Sequence, residues 1–279
     1  MRLVLLCGWY FPDSLGGTEV YVHSLAKDLM SHGIDVMVAA PSLNEQKQDY
    51  VYDGVRVHRY PIATNPTLNE LNGHPPQYLD SFVKWLAELS PDVVHVHSLT
   101  RGCGFWHIQS AKSLGVPLVF TLHMPGPVCL RGTMMRWGKV PCDGEMRTYR
   151  CTACLLEAKG LPRVLGWPAA ALGSVRTSAW AGQLHRRLGS LLLSSTHTAN
   201  QQGRARSVLQ MADRTVVVCG WLKNVIERND VEMTKVLLCR HGLHDTHRLN
   251  VGASRTPSID QPLKIGYVGR LHQVKGIDI

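Results

Sequence analysis

The sequence predicts an α/β protein built on a doubly wound, mostly parallel sheet of Rossmann-like type. Three observations carry that prediction. Apolar runs too short for helices recur along the chain, beginning with Arg2-Leu-Val-Leu-Leu-Cys7. Segments of helical periodicity separate them. The first run leads through a turn-rich stretch ending in Gly16-Gly17 into the first helix, and strand, glycine turn, helix, strand opens a parallel sheet.

The elements follow in order. Val20, Leu25, Leu29 and Met30, with Val22 and Ala26, form one helical stripe, closed by His32-Gly33. Ile34 to Ala40 is a second buried strand, and Val55 to Tyr60 a short third one. Tyr78 to Leu89 reads as helix, and Pro91 introduces the strand Asp92 to His97. Residues 104–114 suit a helix and Val116 to Leu122 a strand. Beyond them come a helix near 201–212, a strand from Thr215 to Cys219, a helix near 221–229 and a strand from Lys235 to Cys239. Two segments break this rhythm. Residues 123–165 hold Gly, Pro, Cys and Arg with little periodicity, too long for an ordinary connection. Residues 246–262 are polar and Pro-punctuated, as a linker is. A new strand, Leu263 to Val268, starts after it. The expected domains are 1–245, with a cysteine-bearing insert at about 123–165, the linker 246–262, and 263–279 as the truncated start of a second domain.

Composition narrows the class. Of 279 residues, 44% are apolar and 18% charged, which supports a core and excludes a mainly disordered chain. No run approaches the ~18 apolar residues of a membrane span, and Leu3 to Cys7 behind Arg2 is too short for a secretory signal. Residues 1–100 hold 6 Lys/Arg against 11 Asp/Glu, residues 101–200 hold 12 against 3, and residues 201–279 hold 12 against 7. The anion-facing surface is therefore expected after residue 100. Eight cysteines without an export signal point to a reducing, cytoplasmic compartment. Cys7, Cys103, Cys219 and Cys239 read as small buried hydrophobes.

Six features bear on chemistry. Gly16-Gly17 let backbone approach a ligand at a helix N-terminus, or simply make a turn that needs positive φ. The absence of G-x-G-x-x-G removes a dinucleotide fingerprint. Arg270 and Lys275, among the glycines of Gly269-Arg270-x4-Lys275-Gly276 after a strand, suit a diphosphate. His123 ends a strand, where open parallel sheets bind ligands. His95 and His97 share a strand face, as a metal pair or, more simply, as structural residues. Cys129, Cys142, Cys151 and Cys154, spaced C-x12-C-x8-C-x2-C, suit a structural zinc. Unliganded thiols and a redox or iron–sulfur role stand beside that reading, and Arg131, Arg136, Lys139, Arg147 and Arg150 nearby favour thiolates. Over 174–194, Trp180, Leu184, Leu188, Leu191 and Leu192 form an apolar face opposite Arg176, Gln183, Arg186 and Arg187. That helix packs on the sheet or rests on an anionic membrane surface.

Together these residues resemble glycosyltransferase family 4, with two facing Rossmann-like domains (the type B fold). Phe11-Pro-Asp-Ser-Leu-Gly-Gly-Thr-Glu-Val-Tyr-Val22 resembles its first glycine loop and helix. Pro91 to His97 and Thr121-Leu-His123 resemble its central strands, and Ile265 to Gly276 the opening of its second domain. The resemblance implies a retaining transfer of a sugar from a nucleotide-sugar donor to a glycan or lipid-linked acceptor, such as a polysaccharide precursor, without a catalytic metal. It places Arg270 and Lys275 on the departing diphosphate, Gly16 and Gly17 beside donor phosphates or acceptor, and His123 on the donor sugar. It also implies work in the cytoplasm, at the inner face of an anionic membrane. The chain stops before the family's paired-glutamate motif, and a Rossmann-like half needs on the order of 100–150 residues. The expectation is therefore little activity from this polypeptide alone. The competing class is a basic, zinc-stapled nucleic-acid module or a non-catalytic partner. Against the former, aromatic content is only 7% and no aromatic platform is interleaved with the charge, so no specific nucleic acid is expected.

Overall fold

The computed structural model describes residues 1–67, 70, 73–172, 193–242 and 266–267. Met1–His241 form one compact unit and Gly242–Ile279 a second. In the first unit, β1 (Arg2–Leu6), β2 (Asp35–Ser42), β3 (Gln48–Tyr52), β4 (Val55–Pro61), β5 (Val93–Val96), β6 (Leu118–Leu122), β9 (Arg214–Val217) and β10 (Val236–Leu238) form an eight-stranded sheet. Its order is β10-β9-β6-β5-β1-β2-β4-β3, and every pairing is parallel except β3 with β4. The predicted doubly wound sheet is thus present. β1 lies between β2 and β5, so connections leave it in opposite directions and open a crevice at the strands' carboxyl ends.

Strand side chains alternate between the two faces of the sheet. Leu3, Leu5 and Cys7 of the first strand join Val22 and Ala26 of α1 (Gly17–Ser31) in one core, with Val36, Val38 and Val57. Val4 and Leu6 join the opposite core. That core also takes Phe82 and Leu86 from α2 (Leu79–Leu89), Ile108 and Ala111 from α3 (Phe105–Ser113), and Val208 and Leu209 from α6 (Ser194–Met211). The remaining α-helices among the described residues are α4 (Thr148–Ala158), α5 (Arg163–Leu172) and α7 (Gly220–Glu227).

Several expectations are corrected. β3 was not predicted; it folds back on β4 through Asp53 and Gly54, whose φ values of 43° and 80° are both left-handed. The insert is not irregular throughout. It contains a two-residue hairpin, β7 (Met135–Arg136) and β8 (Val140–Pro141), and the helix α4. The Asn229 side chain ties it to the body, donating to the carbonyls of Gly144 and Val225 and accepting the Met146 N–H. α6 begins about two turns before the expected 201, because Ser195, Thr198 and Gln202 are polar yet buried. Cys7 and Cys103 are buried as expected, but Cys239 follows the last edge strand and is exposed. The expected helix over 174–194 falls outside the described residues except for its last two, 193 and 194, and the expected linker lies wholly outside them.

Candidate functional site

The loop after β1 is held from beneath by a buried cation. Arg59 of β4 is 4% exposed, and its guanidinium donates to the carbonyls of Tyr10 (2.8 Å), Phe11 (3.1 Å) and Pro41 (3.2 Å). It also bonds the Tyr50 hydroxyl at 3.1 Å and pairs with Asp13 at 2.9 Å. The chain then enters α1 at Gly16, which caps the helix with extended backbone, φ −111° and ψ 168°. The turn requiring positive φ is therefore not why glycine stands there. A Cβ on Gly16 would meet the Glu19 carboxylate at 2.4 Å, and that buried carboxylate is fixed by the Ser14 hydroxyl at 2.6 Å. A Cβ on Gly17 would meet nothing within 4 Å. The first turn of α1 thus presents backbone N–H groups beside open space.

Three histidines form a hydrogen-bonded chain at the neighbouring strand ends. His97 Nδ1 lies 3.0 Å from His123 Nε2, and His123 Nδ1 lies 3.1 Å from His241 Nε2. Tyr21 of α1 stacks on His241 with centroids 4.2 Å apart and meets the His123 ring edge-on at 4.9 Å. Burial, with the neighbouring His241 and His95 adding to it, brings His123 down to about 4, and burial alone does the same to His95. Burial also drives His97 well below its ordinary value and lowers His241. The chain is accordingly neutral at pH 7. His97 is 2% exposed and its Nε2 has no hydrogen-bond partner among the described residues. A bare lone pair there costs less than an orphaned N–H. Protons then run from His97 Nδ1 to His123 and from His123 Nδ1 to His241, leaving His241 Nδ1–H as the outermost donor. His95 bonds the Thr121 hydroxyl at 2.7 Å, a structural role rather than half of a metal pair.

Sequence reasoning singled out His123, His97 and the glycines, and the structure gathers His123 and His97 at one strand edge. It did not find Tyr21, His241 or Arg59. His241 follows the last strand and was open to the same strand-end rule that marked His123. Tyr21 and Arg59 carried no signal, since one lies off the apolar stripe and the other inside a strand. Arg270 and Lys275 lie outside the described residues.

The cysteines need a correction. Cys129, Cys142, Cys151 and Cys154 line one cavity of about 30 Å³, and all are free thiols. Among the described residues, however, no three His, Cys, Asp or Glu side chains are placed to hold a metal. Cys154 Sγ accepts the Trp137 N–H at 3.4 Å, Cys142 Sγ turns to Asp143 at 3.7 Å, and burial raises the Cys151 thiol. The four-thiolate zinc is not supported. Three of the five nearby cations are also spent: Arg131 pairs with Glu157, Arg147 with Glu145, and Arg150 with Asp143, whose carboxyl falls to about 2.

Residues 15–154, half of the chain, match the model of Glycosyltransferase Family 4. The chain belongs to glycosyltransferase family 4. It is 27% identical over 180 residues to a GDP-mannose-dependent alpha-mannosyltransferase of Mycobacterium tuberculosis, covering 60% of this chain and 47% of that one. It is 32% identical over 125 residues to the phosphatidyl-myo-inositol mannosyltransferase of Mycolicibacterium smegmatis, covering 44% and 31%. Sucrose-phosphate synthase from Thermosynechococcus elongatus aligns at a TM-score of 0.48 and 12% identity, over 87% of this chain and 49% of that one. This family 4 chain thus spans about half the length of the first relative and about a third of the second. No helix among its described residues is long and apolar enough to cross a membrane.

Proposed function

We propose that this chain supplies the acceptor-side half of a retaining transferase that moves a hexose from a nucleotide-sugar donor to a glycan or lipid-linked acceptor. Mannose from GDP-mannose is the first donor to test, because two relatives carry mannosyl transfer in their names. The observation that carries the reading is the neutral His97–His123–His241 chain beside the glycine loop, in a chain of this family. A neutral imidazole hydrogen-bonds sugar hydroxyls without adding a charge that must be desolvated. Gly16 and Gly17 open α1 to donor phosphates or to the acceptor, and His123 with its partners meets the donor sugar. Arg270 and Lys275 neutralise the leaving diphosphate, the electrostatic task that dominates such transfers. No catalytic metal takes part. We place the reaction in the cytoplasm, in keeping with eight free thiols, and against the inner face of an anionic membrane.

Transfer is assayed with the 279-residue chain and with the whole in-frame product of its gene, using GDP- and UDP-sugars. Expected is product of retained configuration from at least one donor, with His123→Ala lowering kcat/KM about 100-fold. No transfer by either form from any nucleotide sugar defeats the reading.

A further inference from the structure

The three rings of the histidine chain differ in what they have left to offer a ligand. Both nitrogens of His123 are engaged, Nε2 with His97 at 3.0 Å and Nδ1 with His241 at 3.1 Å. His123 therefore reaches no ligand atom without breaking one of those bonds. His97 is buried, so its remaining nitrogen is closed to solvent and to ligand alike. His241 is exposed, and its Nδ1 has no hydrogen-bond partner among the described residues. The chain thus runs from the core to the surface and ends in one open ring nitrogen.

The rings are braced along the whole chain. His95 packs on His97 with centroids 4.0 Å apart, and His95 is itself held by the Thr121 hydroxyl. Tyr21 meets all three rings, its centroid 5.9 Å from His97, 4.9 Å from His123 and 4.2 Å from His241. It stands one turn into α1, so the helix that Gly16 caps also fixes the histidine face. In a neutral imidazole one nitrogen donates and the other accepts. A hydrogen bond at one nitrogen therefore sets what the other can do, and the setting passes from ring to ring. With no acceptor for an N–H at Nε2, His97 keeps its proton on Nδ1, and His123 and His241 follow as Nδ1–H tautomers. Linked hydrogen bonds polarise one another, which makes the last N–H a stronger donor than that of a lone neutral imidazole.

We infer that His241 is the ring that hydrogen-bonds the transferred sugar, donating its Nδ1–H to one hydroxyl oxygen, and that His97 and His123 are positioning residues that fix this tautomer. The inference rests on the transferase reading and assigns a specificity-determining contact within it. A sugar lacking that hydroxyl leaves the N–H unmatched, so the contact reads the presence of a single group.

Two measurements test this, and the first needs no turnover. Nitrogen NMR of the histidine-labelled 279-residue chain at pH 7 reports the tautomer of each ring. Expected are Nδ1–H forms at His97, His123 and His241. His97→Leu is expected to release His123 and His241 to the Nε2–H form that an unconstrained imidazole prefers. His97→Asn, whose amide N–H stands in for Nδ1–H, is expected to keep them. Should His97→Leu fail to fold by circular dichroism, the spectrum of the unaltered chain decides. An Nε2–H tautomer there at His123 or His241 overturns the inference. The second measurement is transfer by the whole in-frame product, comparing the nucleotide sugar it uses with single-deoxy analogues. Expected is a loss of at least about tenfold in kcat/KM for one deoxy position. His241→Phe, which keeps a ring against Tyr21, is expected to erase that one discrimination, as is His97→Leu, whereas His97→Asn preserves it. Discrimination unchanged in His241→Phe overturns the inference and leaves the transferase reading standing. The expected tautomers without transfer from any donor remove the reaction, and the sugar contact with it, and keep only the tautomer lock.

Discussion

At the scale of single residues, much of the site rests on polar side chains that are buried and hydrogen-bonded to their neighbours. Arg59 is the clearest case. Truncating it leaves three carbonyls and a tyrosine hydroxyl without their donor. Arg59→Met is expected to cost about 2–4 kcal/mol by urea unfolding, because each orphaned buried group carries its desolvation cost. The histidines set an acid limit in the same way. His95, His107 and His123 titrate near 4 in the fold, below the ordinary 6.5, and burial leads in each case. Between pH 6.5 and 4 the unfolded chain binds more protons than the folded one. Stability is full above that window and falls through it, by up to about 1.4 kcal/mol per histidine per pH unit. A urea midpoint unchanged between pH 7 and pH 5 contradicts this. These residues were only partly legible. His123 and His97 stand where strands end, a position that a sequence displays. Arg59 inside a strand looks like an outward-facing charge until the loop it supports is seen above it.

At the scale of elements, strands and helices with clean periodicity were readable, and those built on polar burial were not. α2 and α3 fall within a residue of expectation because their apolar positions repeat at helical spacing. The first two turns of α6 were hidden by buried Ser195, Thr198 and Gln202. β3 was hidden by its polar composition, although Asp53-Gly54 is the strongest short hairpin signal a sequence offers. The four cysteines misled because spacing alone says nothing of where sulfur atoms point. α5 has its own consequence. It exposes Val164, Leu165, Trp167 and Leu172 beside Arg163, an apolar face edged with charge. The membrane contact proposed above would place this face on the anionic lipid surface. Replacing Trp167 and Val164 by serine is expected to reduce sedimentation with phosphatidylglycerol vesicles several-fold while leaving sedimentation with phosphatidylcholine vesicles unchanged.

At the scale of the whole molecule, the sheet is completed by a long return. β9 pairs with β6 although the insert and α6 lie between them in sequence. Asp213 clasps the junction: its carboxylate accepts the Leu118 N–H at 2.8 Å and the Lys112 ammonium at 2.7 Å, and its own N–H bonds the Leu118 carbonyl. Asp213→Ala is expected to lower stability by about 1–3 kcal/mol, read from urea unfolding, since it frees a strand-end N–H and a cation together. The alternation of strands and helices showed this architecture in advance, but not which strand would close it. There is a cost in time as well. While the chain is made, β6 has an unpaired parallel edge rich in Leu, Val and Phe until β9 emerges. At ribosomal speeds of roughly 5–20 residues per second, that wait is on the order of ten seconds. For that interval an open hydrophobic edge stands ready to pair with another nascent chain, and the yield of folded protein will follow translation speed and the supply of chaperones more than final stability.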